Sequence, residues 1–393
     1  MTDCASDRDG RPHRRRARLL APAVAAAALL AATGVAFAGG SSYIGGLAPS
    51  TVATTVPPNG DLNPYGMATV PRTVGRLVAG DILISNFNNA TPAPGGMQGR
   101  GTTIDQINPA ESPPQTPAPL FAQIDANHLP RPGCPGGIGL STALVALPDG
   151  YVIVGSLPTT DGTSATAAAG CLLVLDPFGR VVETFAGSLI DGPWDMTSVT
   201  TGFITTLFVS NVLPNITNST TMPSDTGDVV RIRLATIGPI PPILFDEDLV
   251  GTGFPARPDP AALVIGPTGV ALGANGTLYV ADTLGNRIAE IPDALFRRGP
   301  INGEALTLTS NGSLNNPLGL TLAPNGDILS ANSSDGNIVE TTPGGKQVAT
   351  VTADNNPSTP NPGAGALFGL TVSPFNAVVY YVDDIMNTLQ KLG

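Results

Sequence analysis

The chain has 393 residues, a net charge of −11 and only 12% charged residues. Its two lysines, Lys346 and Lys391, offer no basic cluster to release counterions from a phosphate backbone, which argues against nucleic acid as a partner. So few charges imply a surface of Thr, Ser, Asn and Gly rather than of ion pairs.

The first 38 residues read as an export signal. An arginine-rich "RPHRRRARLL" precedes an uncharged Ala/Leu stretch, Leu19 to Ala38, that ends in the small-x-small triplet Ala36-Phe37-Ala38. Retention as a membrane anchor is the competing reading, since about 20 apolar residues span a bilayer. The Ala richness, Pro22 and the A-F-A ending favour cleavage. Arg15-Arg16 raises twin-arginine export, although Arg18 stands where that signal wants a hydrophobic residue, and no cysteine follows for a lipid anchor. The first 38 residues hold six Arg against three Asp, so the part from Gly39 sits near −14. Nothing later in the sequence is long and apolar enough to span a membrane.

Residues 39–62 form an N-terminal segment, and 63–393 repeat one pattern six times. The copies open at "NPYGMATV" (Asn63), "GGIGLSTALVALPDG" (Gly136), "GPWDMTSVTTG" (Gly192), "GPTGVALGANG" (Gly266), "NPLGLTLAPNG" (Asn316) and "ALFGLTVSPFN" (Ala366). Each continues into a short strand ending in a small polar or acidic residue: Asn86, Ser156, Asn211, Asp282, Asn332 and Asp383. A third strand follows, and usually a fourth. Runs of four to eight Val, Ile, Leu and Thr residues, punctuated by Asn-Gly and Asp-Gly turns, predict antiparallel strands joined by hairpins. Six such units predict an all-β six-bladed β-propeller of four-stranded antiparallel blades. The last copy stops after its third strand, so "STVATTV" (Ser50 to Val56) is expected to supply the fourth and close the ring, removing an exposed edge.

The run "PTGVALGANGTLYVADTLGNRIAEI" (Pro267 to Ile291) resembles NHL repeats and, more loosely, the gluconolactonase-like and strictosidine-synthase-like six-bladed propellers. The match is good from Pro267 to Gly393 and degenerate in the first three copies. The gluconolactonase-like resemblance implies a divalent metal at the channel mouth, held by Glu, Asn and Asp at or near the x of "P-x-G" or before "G-P". Here the x positions read Tyr65, Ile138, Trp194, Thr268, Leu318 and Phe368, and Asp191 alone echoes the acid before "G-P". No metal site and no cofactor are therefore expected. NHL-like amidating lyases rely on several His for zinc, whereas the sequence beyond residue 38 has only His128.

Strand order places the strand-two-to-three loops and the blade-to-blade connections on one face. "FNNATPAPGGMQGRG" (Phe87 to Gly101), "LPTTDGTSATAAAG" (Leu157 to Gly170) and "VLPNITNSTTMPSDTG" (Val212 to Gly227) are long there, predicting a canopy over half of one mouth, with only tight turns opposite. Cys134 and Cys171 fall on the same rim and are expected to form a disulfide. The polar strand ends Asn86, Asn211, Asp282, Asn332 and Asp383 either cap the turns that follow them or form a polar ring, and Asp282 is placed to pair with Arg287. The glycine of "P-x-G" is Gly66, Gly139, Gly269, Gly319 and Gly369 in five copies but Asp195 in the third, beside Trp194, the only Trp. Trp194 and Asp195 are the leading ligand-contact candidates, with Asp191 and the polar strand ends behind them; no catalytic residue is assigned. The N-x-S/T triplets at Asn215 and Asn218 are discounted because the Arg/Ala-rich leader and the Gly/Pro/Ala-rich body read as bacterial. These readings describe a monomeric bacterial protein that is secreted or held in the periplasm or cell envelope. Its expected role is a recognition or scaffold module whose loop-rich face meets a protein, glycan or small molecule. The alternative is a gluconolactonase-like hydrolase or lyase with a degenerate acidic site around Asp191 and Asp195.

Overall fold

The computed structural model describes residues 42–90, 96–212, 224–260, 262–303, 306–357 and 361–393. The leader and the triplets at Asn215 and Asn218 lie outside them. Six sheets follow one another along the chain, each a four-stranded antiparallel meander, with extra pairing on the third. Their inner strands are Leu62–Thr69, Leu140–Ala146, Pro193–Thr201, Pro267–Leu272, Pro317–Leu322 and Leu367–Val372, in blades 1 to 6. In blade 4 the second strand, Leu278–Asp282, is followed by Arg287–Ile291 and the outer strand Thr307–Ser310. Gly276 and Gly326 take φ of +81° and +89° in the "ANG" and "PNG" hairpins, a region where a side chain is unfavourable.

The ring closes through Pro49–Thr54, which pairs antiparallel with Thr388–Leu392 as the outer strand of blade 6. Just before it, the backbone amides of Tyr43 and Ile44 donate to the two carboxylate oxygens of Glu340 (2.7 and 2.9 Å). Ile44 is fully buried among side chains of blades 5 and 6, so closure is anchored as well as paired. The last chain residue adds to it, with Gly393 and Ala48 exchanging backbone hydrogen bonds.

Blade 2 departs from the register that its sequence implies. Leu140 pairs with Ser156 and Leu144 with Val154, whereas blade 4 pairs Pro267 with Asp282 and Val270 with Val280. Blade 2 thus holds one extra residue in a bulge, and its counterpart of "x-G" is Thr142-Ala143 rather than Ile138-Gly139. Neighbouring blades confirm the alignment. A Cβ on Gly66 would meet Thr142 O and Leu144 Cβ, just as one on Gly319 would meet Phe368 O and Leu370. Gly139 packs instead against the Gly99 backbone of the blade 1 loop.

Two further features depart from the sequence reading. The outer strand of blade 3 is Ile243–Asp259, 17 residues long, and it folds back through Leu263–Ile265. The face opposite the long loops also carries more than tight turns: it holds the connections 70–81, 108–119 and 236–242, and the one that leaves Ile291. That side is called the turn face below, and the other the mouth face.

Candidate functional site

At the mouth face the centre of the ring is filled by the x residues of the repeat. Tyr65 stacks on Phe368 with ring centroids 3.9 Å apart and on Phe87 at 4.6 Å, while Trp194 lies tilted at 6.4 Å from Tyr65. Leu318 joins them, and all are buried. Leu263, with φ +61°, is pressed onto this apolar plug by the folded-back end of the blade 3 strand. Few leucines adopt that backbone region, so packing holds it there. Gln98 of the blade 1 loop donates to Pro260 O (3.0 Å), and Thr159 of the blade 2 loop donates through its amide to Gly99 O (2.9 Å). The extensions of blades 1, 2 and 3 are therefore stitched into one cover.

Two polar clefts flank the plug and share Asp384. The larger, about 440 Å³, is lined by Arg257, Asp259, Thr283, Asn316, Ser333 and Asp384 above an apolar floor of Leu318 and Phe368. Arg257 and Asp259 form an ion pair at 3.2 Å. The second, about 400 Å³, is lined by Asn63, Asn88, Gln98, Asp384 and Asn387. The Asn63 amide lies between Asn88 and the Asp384 carboxylate, and it satisfies both by donating to Asp384 and accepting from Asn88 Nδ2 (3.2 Å). Burial, reinforced by the neighbouring Asp383 charge, pushes the Asp384 carboxyl up to about 8. With Asp384 protonated and Asn, Gln, Ser and Thr side chains around it, the clefts offer both donors and acceptors, suited to a ligand bearing hydroxyls.

The sequence-derived candidates occupy three separate places. Trp194 is part of the plug. Asp195 turns the other way, into a channel cavity of about 200 Å³ lined by all six inner strands below the plug. Its carboxylate accepts from the Val270 amide of the next blade (3.1 Å), and burial raises its pKa to about 7. Asp191 lies at the rim, where its carbonyl accepts from Gly170 N (2.6 Å) and its charge acts on Asp228 rather than on Asp195. The structure therefore does not bring Asp191 and Asp195 together.

The polar strand ends are buried and engaged within their own blades. Asn86 donates to Asp105 (2.9 Å), Asn211 to Asp228 (3.0 Å), and Asn332 to Ser313 O (2.8 Å) and Asp335 (3.1 Å). Asp282 accepts from Gly285 N (2.9 Å) and pairs with Arg287 (2.8 Å), and Asp383 accepts from Met386 N (3.0 Å). Asp282 and Asp383 thus fix the turns that follow them in the Asx manner, whereas Asn86, Asn211 and Asn332 act as donors to carboxylates and a carbonyl and do not cap the next turn through their own oxygens. His128 sits exposed on a short 3-10 turn beside Asp125, far along the chain from either cleft's lining. Cys134 and Cys171 form a disulfide with Cα atoms 5.3 Å apart.

The metal-ligand positions that the gluconolactonase-like resemblance implies do not fit such a group here. With blade 2 realigned they read Tyr65, Thr142, Trp194, Thr268, Leu318 and Phe368. Three of them carry hydroxyls and none a carboxylate: Thr268 Oγ1 already bonds to Thr283 Oγ1 (2.8 Å) and Ala281 O (3.1 Å), while Tyr65 Oη and Thr142 Oγ1 are buried, too few donors for a divalent ion. Among the described residues no three His, Cys, Asp or Glu side chains come close enough to share a metal ion.

Sequence reasoning missed Asp384, Asn63 and the Arg257–Asp259 hairpin. The doubled acid of "VVYYVDD" was a visible signal for the first; the hairpin left none, since it lies in a stretch that matches no copy of the repeat.

No protein-family model and no curated protein matches the sequence. Solved structures do. They include a gluconolactonase from Xanthomonas campestris (13% identity, TM-score 0.51, covering 89% of this chain and 90% of that one). Also similar are the calcium-binding protein regucalcin from Agrobacterium tumefaciens (12%, 0.53, 88% and 94%) and a luciferin-regenerating enzyme (10%, 0.52, 88% and 95%). At such identities the likeness establishes the propeller fold.

Proposed function

We propose that the protein is an exported, NHL-repeat-like recognition module that holds a ligand at its mouth face without transforming it. The observation that carries this reading is the plug. Tyr65, Trp194, Leu318 and Phe368 fill the place where a propeller of this shape would seat a reacting group, and they bring no carboxylate, imidazole or thiol; the Tyr65 phenol is buried, and burial holds it protonated. What remains open beside the plug combines an apolar floor with hydroxyl, amide and carboxyl groups, with Asp384 reachable from two clefts. A hydroxyl-rich ligand such as a glycan suits it, its rings resting on the Phe368 and Leu318 floor while its hydroxyls donate to Asp384 and Asp259.

The test combines binding with turnover on the chain from Gly39. Glycan-array binding that weakens by about tenfold in Asp384→Ala is the expected result, as for loss of a hydrogen bond worth about 1.4 kcal/mol. Gluconolactone and a panel of other lactones, with calcium, zinc or manganese added, should be hydrolysed no faster than in buffer. Turnover that disappears in Asp195→Asn or Asp384→Asn would instead establish the hydrolase.

A further inference from the structure

The turn face carries most of the exposed large apolar side chains among the described residues. Phe178, Phe203, Phe296 and Phe375 are 52, 63, 73 and 55% exposed, and they stand at the tips of connections in blades 2, 3, 4 and 6. Val78 adds a fifth tip in blade 1, and Ile237 and Ile240 rise beside Phe203 in blade 3. The mouth face shows one such side chain, Met386. Scattered single exposures are ordinary on any protein surface, but a one-sided distribution over five blades is not.

The tips form a platform rather than a set of independent loops. Arg76 N donates to Pro177 O (2.8 Å), joining blade 1 to blade 2, and Tyr151 Oη donates to Pro239 O (2.8 Å), joining blade 2 to blade 3. Arg233 reaches Leu295 O (3.0 Å), joining blade 3 to blade 4, and Phe375 lies against Gly80, joining blade 6 to blade 1. Bases accompany the apolar tips. Arg180 lies over the Phe178 ring at 5.6 Å, Arg297 and Arg298 directly follow Phe296, and Arg76 precedes Val78 by two residues. Asp81, Glu111, Asp149, Asp176, Asp293 and Asp327 share this face, Asp176 paired with Arg180 at 2.6 Å, so its field is mixed and the apolar tips carry the larger part of any affinity. The acids of the clefts, Asp259 and Asp384, lie on the opposite side.

We propose that the turn face seats on a phospholipid surface. The four phenylalanines reach the boundary between headgroups and acyl chains, and Arg76, Arg180, Arg297 and Arg298 meet the phosphates, leaving the mouth face directed away. Separated apolar tips, three of which (Val78, Phe178 and Phe296) have an arginine beside them, match a flat apolar surface bearing phosphates better than they match a groove-forming protein partner. This inference concerns a different surface from the clefts and stands independently of what they bind.

The experiment uses the chain from Gly39, which contains every blade and the closing strand and lacks the apolar leader. It should co-sediment with vesicles of phosphatidylcholine containing phosphatidylglycerol. The variant Phe178→Ser/Phe203→Ser/Phe296→Ser/Phe375→Ser should lose about tenfold or more in partitioning with a far smaller change in melting temperature than a core substitution brings, since all four side chains are more than half exposed. Arg297→Glu/Arg298→Glu should weaken binding most on the phosphatidylglycerol vesicles, and Met386→Ser should leave it unchanged. Absence of sedimentation, or equal sedimentation of the four-Phe variant, overturns the proposal. A wild-type dimer that the four-Phe variant converts to monomer also overturns it, because a second copy would then be what covers this face.

Discussion

At Gly319 a Cβ would stand 1.9 Å from Phe368 O, and at Gly369 another would stand 2.2 Å from Tyr65 O. Neighbouring inner strands approach so closely that the repeat's glycine is a packing requirement between blades, and its φ plays no part. Gly319→Ala must push a whole blade, and we expect a loss of about 2–3 kcal/mol in urea unfolding. Gly187→Ala, with open space around it, should change stability by less than about 0.5 kcal/mol. The same geometry explains how blade 3 tolerates Asp195 at this position. Its side chain turns into the channel, and its carboxylate spans to the Val270 amide, binding blade 3 to blade 4. The substitution was legible in the sequence as a deviation. Its direction, away from Trp194, was not, because that depends on how closely the next blade approaches. Asp384 was overlooked for a related reason: the repeat draws attention to residues that recur, and Asp384 matters as the residue after the one that recurs.

At the scale of the element, the strand pattern and the ring closure were readable because each rests on local chemistry: alternating apolar residues, Asn-Gly turns and a last copy one strand short. What was not readable depends on pairing between distant residues. The bulge that shifts blade 2 shows only in the partners of Leu140 and Leu144, since "GGIG" imitates the repeat more faithfully than "LSTA" does. The 17-residue outer strand of blade 3 lies where the repeat lapses, and its end, not a loop, covers the plug. Blade 2 also holds the disulfide, which ties the connection entering the blade to the first residue of its third strand. It closes a segment of 37 residues, so restricting the unfolded chain should contribute about 2–4 kcal/mol. Cys134→Ala/Cys171→Ala should shift the urea midpoint down accordingly, with reduction of the wild type giving a similar shift. An unchanged midpoint in both would mean that the bond contributes nothing beyond packing.

For the molecule as a whole, carboxyls buried without a basic partner set the pH response. Burial holds Asp195, Asp228 and Asp383 up to about 7 and Asp384 up to about 8. In the unfolded chain these groups titrate near 4. Between those values the folded state binds more protons than the unfolded state, so stability falls as pH rises. The contribution is fully present below about pH 4 and is lost as pH climbs through 7 to 8. Asp176, held below its ordinary value by hydrogen bonds from the Arg180 and Phe178 amides and the Arg180 guanidinium, acts with the opposite sign only at the acid end. The growing negative charge of the chain adds self-repulsion in the same direction as the buried carboxyls. Asp195 borders the channel and Asp384 the clefts, so water screens part of each shift, and the summed effect is on the order of a few kcal/mol. The melting temperature should therefore peak near pH 4–5 and decline by about 5 °C or more by pH 8. Asp384→Asn replaces a carboxyl held up to about 8 by a neutral side chain of the same shape that still bonds to Asn63. It should flatten the alkaline part of that decline, and a variant with the full wild-type slope would show that the Asp384 carboxyl is already ionised in the folded protein at neutral pH.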